Sequence, residues 1–63
     1  MMRIIRISGP LRARKRFGKE TYSLMDRFWD ESEALAYAKK LIVTSHVVVA
    51  QSNKYYGVYV RAK

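Results

Sequence analysis

The segment from Arg27 to Val43, R-F-W-D-E-S-E-A-L-A-Y-A-K-K-L-I-V, carries the only helical pattern in the chain, and strand-like sequence lies on both sides of it. Ala34, Leu35, Ala38, Leu41 and Ile42 recur at three- and four-residue spacing, which lines them up on one face of a helix. Asp30 followed by Glu33 matches a capping box, in which each side chain accepts a hydrogen bond from the other residue's backbone N–H. Trp29, just before the cap, is placed for a hydrophobic staple against Ala34 or its neighbours, and Phe28 and Trp29 together are expected to pin the helix to the sheet. One helix with one apolar stripe can cover one sheet.

The flanks supply that sheet. Arg3 to Ser8 alternates as a strand, with Ile5 and Ile7 on one face and Ile4 and Arg6 on the other, until Gly9-Pro10 breaks it. The segment L-R-A-R-K-R-F that follows has two readings. Extended, it is a strand with Arg12, Arg14 and Arg16 on one face and Leu11, Ala13, Lys15 and Phe17 on the other; otherwise it is a mobile basic loop. Glu20 to Phe28 reads as a further strand. After the helix, Val47, Val48 and Val49 mark a central strand covered in part on both faces. Ser52, Asn53 and Lys54 supply turn chemistry before a last strand, Tyr55 to Arg61, so that these two strands form a hairpin. In the last strand Tyr56, Val58 and Val60 suit a core under the helix, and Tyr55, Gly57, Tyr59 and Arg61 occupy the other face. The expectation is an α+β fold over residues 1–63. It is a small antiparallel sheet of two β-hairpins, ordered ββαββ or βββαββ, with one helix on one face and a flexible or strand-like basic tip at 9–19.

Sixty-three residues form one domain near the lower size limit, where a deep substrate cavity finds little room. The chain has no cysteine, so neither disulfides nor thiolate zinc sites contribute, and a reducing, cytoplasmic setting is expected. Its longest apolar runs fall far short of the roughly 20 residues of a membrane span, and the charged amino-terminal run does not read as a signal peptide.

Charge is the strongest pointer to function. The net charge is +8, and all five acids fall between Glu20 and Glu33, with basic segments on either side. Arg12, Arg14, Lys15, Arg16 and Lys19 form a dense cluster whose mutual repulsion a polyanion would relieve. Arginine's planar fork matches phosphate oxygens and stacks on bases. Against this, such a cluster can simply keep a sheet edge soluble. Tyr55, Tyr59 and Arg61 suggest an aromatic and basic stripe for stacking bases, or else cross-strand packing or a dimer interface. Gly57 within that stripe permits a close approach to the backbone.

Other candidates are weaker. His46, the sole histidine, has no partners for a metal site, and Ser45 beside it lacks the geometry of a catalytic pair. Asp26, Asp30 and Glu33 are better explained by the helix start than by magnesium. No glycine spacing matches a phosphate loop. No catalytic residue, metal or cofactor is therefore expected.

The phrase F-W-D-E-S-E-A-L-A-Y-A resembles the strand-to-helix junction of the arm-type DNA-binding domains of tyrosine recombinases. That resemblance covers about a dozen residues and implies that Arg12, Arg14 and Arg16 lie on a DNA-reading sheet. The added hairpin after the helix departs from it, and looks like small phage or archaeal proteins that bind larger host proteins. Two functional expectations follow. The first is a non-catalytic, weakly selective nucleic-acid-binding protein that grips phosphates with its first hairpin, with sheet-face contacts from Tyr55, Tyr59 and Arg61. The second is a protein-interaction module or virus-type accessory factor, docking on an acidic partner or dimerising through an exposed edge at Tyr55 to Arg61.

Overall fold

The computed structural model describes residues 4–63. Five strands and one helix follow one another as β1 (Ile4–Arg6), β2 (Arg14–Phe17), β3 (Glu20–Phe28), α1 (Glu31–Leu41), β4 (Ser45–Ser52) and β5 (Tyr55–Ala62). They make one five-stranded sheet in the order β1-β4-β5-β3-β2. The β2–β3, β3–β5 and β4–β5 pairs are antiparallel, but β1 runs parallel to β4 with Ile4 opposite Val49. The sheet is therefore mixed, and the expected all-antiparallel pair of hairpins is corrected on this point. The hairpins are β2–β3 and β4–β5, while β1 lies at the far edge from β2. Arg3, read as the start of the first strand, lies outside the described residues.

The helix forms where the periodicity places it, although its start is held differently from the capping-box expectation. Asp30 has an extended backbone (φ −106°, ψ 128°), and its side chain makes no capping hydrogen bond. Its carbonyl accepts the Ala34 N–H at 3.1 Å. Charge favours the helix at both ends instead, with Glu31 and Glu33 in the first turn and Lys39 and Lys40 in the last, each matching the helix dipole.

Ala34 and Ala38 are fully buried and let the helix backbone come close to Val49 and Val58 of the sheet. Leu35, Tyr37, Leu41, Val47, Tyr56 and Val60 pack around this cluster. Phe28 fastens the helix by its contact with Tyr37, with ring centroids 5.3 Å apart. Trp29 does not act as a staple. It is 67% exposed and lies against Tyr55 at 4.3 Å, because the hairpin turn brings a ring to it that the helix does not offer. Ile42, read as part of the apolar stripe, is also exposed, since the helix ends one residue before it.

The other face of the sheet is covered by the chain itself. Residues 7–13 must carry the chain from the β1 edge to the β2 edge, across β4, β5 and β3. Six peptide steps reach about 20 Å at 3.3 Å each, and four strand spacings of about 4.8 Å need about 19 Å. The segment, bent at Ser8 and Gly9, lies across the sheet as a strap. One end is held where the Ile7 N–H donates to the Gln51 carbonyl at 2.9 Å, the other where the Leu24 N–H donates to the Ala13 carbonyl at 2.7 Å. Between them the Ser52 hydroxyl donates to the Gly9 carbonyl and the Tyr59 hydroxyl to the Arg12 carbonyl.

Small residues make room for the strap. Ala50 and Gly57 pair across β4 and β5 on the strap side, and both are buried. A Cβ on Gly57 would stand 3.0 Å from Leu11 Cδ2 and from Leu24 Cδ1. The close approach that Gly57 permits is thus made by Leu11 of the same chain.

The tight seat of the helix predicts that Ala38→Leu overfills the space above Val49 and Val58. A loss of about 1–3 kcal/mol is expected, read as a lower urea midpoint with the same slope.

Candidate nucleic-acid interface

The strand register distributes the basic cluster over two sides of one edge. Arg14 pairs with Ser23 and Arg16 with Thr21. Ser23 in turn pairs with Val60, which packs under the helix, so both arginines project on the helix side. The helix packs on β3, β4 and β5 and does not reach β2, which leaves Arg14 and Arg16 exposed. Lys15 pairs with Tyr22 on the strap side and is half-buried. Lys19 is exposed in the hairpin turn, beside Gly18 with its left-handed φ of +67°. Arg12 belongs to the strap. Its carbonyl is bound by Tyr59 and the residue is exposed. The arginine ladder therefore holds for Arg14 and Arg16 only, because β2 begins after Arg12.

More positive charge gathers at the same end of the sheet. The pairs Ser23–Val60 and Ser45–Ala62 place the β2–β3 turn, the carboxyl end of β5 and the start of β4 together. The basic last turn of α1, Lys39 and Lys40, precedes β4 by a short connection and so lies at this end too. Asp26, Asp30, Glu31 and Glu33 lie toward the opposite end, where β3 runs into the helix. Among the described residues one ion pair forms, between Arg61 Nε and Glu20 Oε2 at 3.9 Å. The carboxylates leave Arg12, Arg14, Lys15, Arg16 and Lys19 to be screened by solvent or a ligand.

The expected stripe on β5 is placed quite differently by the structure. Tyr59 is fully buried, with Phe17 edge-on at 5.2 Å and its hydroxyl 2.7 Å from the Arg12 carbonyl. No base can stack on it, because the strap and Phe17 already cover the ring. Burial pushes its pKa up, an effect partly offset by the hydrogen bond to Arg12 and the charge of Arg27. Arg61 is engaged internally, with its guanidinium carbon 5.7 Å from the Tyr22 ring centroid and its buried Nε lacking a hydrogen-bond partner. Tyr55 is the member of the stripe that remains accessible. Nor does β5 offer an edge for a second chain, since it is paired on both sides; the sheet edges are β1 and β2.

Tyr55 also lines an open cleft of about 330 Å³, formed with Pro10, Leu11, Arg27, Ser52 and Asn53. The strap makes one wall and the β4–β5 turn the other. Arg27 and Asn53 escape a reading of the sequence because what unites them is the strap's path across the sheet, and Trp29 joins them only through its contact with Tyr55. The available signal is Trp29, a large ring in a segment whose other aromatic suffices to fasten the helix. His46 is exposed on the strap side opposite Arg61. Among the described residues no group of three or more His, Cys, Asp or Glu could hold a metal ion, and no helix is long and apolar enough to cross a membrane. Comparison with models of known protein families, with curated proteins and with solved structures gave no match.

The strap's hold on the sheet is testable at Tyr59. Tyr59→Phe keeps the ring but leaves the Arg12 carbonyl without its donor, and should cost about 1 kcal/mol near neutral pH. Because the folded pKa is raised, the neutral phenol's contribution is complete below the unfolded value of about 10 and is lost as pH rises through the folded value. Urea unfolding of both proteins across that range should show the gap between them closing above about pH 10.

Proposed function

We propose that this protein binds nucleic acid without catalysing a reaction, gripping phosphates along the β2 edge with low sequence selectivity. The observation that carries this reading is the bare edge strand: Arg14 and Arg16 stand exposed on one side and Lys19 at the turn, with half-buried Lys15 on the other side, none of them paired with a carboxylate. A cationic edge of this kind offers guanidinium forks to phosphate oxygens without requiring a groove cut for particular bases. The clustering of Lys39, Lys40 and Lys63 toward the same end of the sheet extends the attractive field. The alternative of strand addition by a partner at Tyr55 to Arg61 loses its support, since that strand has no free edge. On β2, a second copy of the same strand would bring like charges together.

Replacing Arg14 and Arg16 together by glutamine should weaken binding to all duplex sequences alike. The slope of log affinity against log salt concentration should fall by about 1.8, since each phosphate that a side chain ceases to neutralise accounts for about 0.9. Fluorescence anisotropy across a salt series measures this, and an unchanged slope would remove the β2 edge from the interface.

A further inference from the structure

We propose that the cleft between the strap and the β4–β5 turn receives one unstacked nucleobase, so that the preferred ligand is a single strand and not a duplex. This deepens the nucleic-acid reading and rests on it.

The cleft brings together three kinds of group that holding a base requires. The first is a ring face. Tyr55 is 39% exposed and Trp29 67% exposed, and the two rings support each other at a centroid distance of 4.3 Å and an angle of 45°. A domain this small has little apolar surface to spare, and its sole tryptophan is kept out of the core. The second is a cation. Arg27 lies opposite Gly57, so no side chain stands beside it on β5, and its own lines the cleft. The third is an amide. Asn53 is held in the left-handed region at φ 52°, which fixes the turn, and its side chain offers both a donor and an acceptor to a base edge. Pro10 and Leu11 give the strap wall an apolar surface. The volume, about 330 Å³, is at the lower end for small-molecule pockets and suits one base with its sugar.

Charge around the cleft is mixed: Arg27 and Lys15 project on the strap side, Glu20 on that side lies 3.9 Å from Arg61, and Asp30 and Glu31 follow Trp29 at the cleft's end. Asp26 pairs with Val58 and so projects on the helix side, away from the cleft. Lys15, next to Tyr22 on the strap side, marks the route toward β2. Arg27 and Tyr22 are five residues apart on β3, or about 17 Å. That is no more than about five nucleotides at 3.4 Å each, so one strand can occupy the cleft and reach Lys15, the β2 cation on the strap side, while Arg14 and Arg16 face the helix side. A duplex keeps its bases stacked and cannot fill the cleft.

The test uses Trp29, the only tryptophan, as its reporter. The full chain is titrated with an oligothymidylate and, separately, with a duplex of the same length. Saturable quenching by the single strand is expected, with little change on adding duplex. Tyr55→Leu keeps an apolar strand residue but removes the ring, and should weaken the single strand about tenfold while leaving duplex affinity unchanged. Tyr55→Phe should bind as the parent does, and circular dichroism checks that each variant is folded. Undiminished oligothymidylate binding by folded Tyr55→Leu would overturn the base site, while the dependence on Arg14 and Arg16 would still uphold the phosphate reading. Absence of binding to either nucleic acid at moderate salt would overturn both.

Discussion

Covering β5 on both faces is the constraint from which the rest of the structure follows. Val58 points into the cluster under the helix, and the next residue, Tyr59, is equally buried beneath the strap. A chain of this length has one helix for one side, so the second cover must come from a connection that would elsewhere be a loop. The parallel placement of β1 makes that possible. By seating β1 beside β4, the fold forces the next residues to cross the sheet to reach β2, and they shield apolar surface as they do so. Ala50 and Gly57 beneath the strap, and Ala34 and Ala38 beneath the helix backbone, are the same device used on opposite faces: small residues wherever another backbone lies close.

The same layout separates the charges. The strap ends at the outer strand β2, whose cations have no layer above them on the helix side because α1 stops at β3. Four of the five acids, all but Glu20, collect where β3 meets the helix, at the positive end of its dipole. The molecule thus has a bare cationic edge at one end and a small aromatic cleft along the strap.

Much of the fold is legible in the sequence where contacts are local. The place of α1, the β4–β5 hairpin and the core-facing set Tyr56, Val58 and Val60 follow from periods of 3.6 and 2, and the structure has them all, although the helix stops short of Ile42. What the sequence misplaces depends on contacts distant along the chain. The pairing of Ile4 with Val49 leaves no mark in either segment, so an antiparallel arrangement is the natural expectation. Local reasoning gives Trp29 to the helix because its nearest apolar neighbours are there, yet Tyr55 supplies the ring it rests on. Alternation puts Tyr59 on the correct face of β5, but that face is closed by Leu11, Arg12 and Phe17 rather than open to bases. The glycine that signals a close approach is readable; which group approaches is not.

If the strap is a second layer and not a loop resting on the surface, its ends should open only when the whole sheet does. Native-state hydrogen exchange can measure this at the Ile7 N–H, bonded to the Gln51 carbonyl, and the Leu24 N–H, bonded to the Ala13 carbonyl. Both amides should exchange with the same opening free energy as the amides of β4 and β5, equal to that of global unfolding. Exchange at Ile7 and Leu24 that is faster by orders of magnitude, while β4 and β5 stay protected, would contradict the two-sided account.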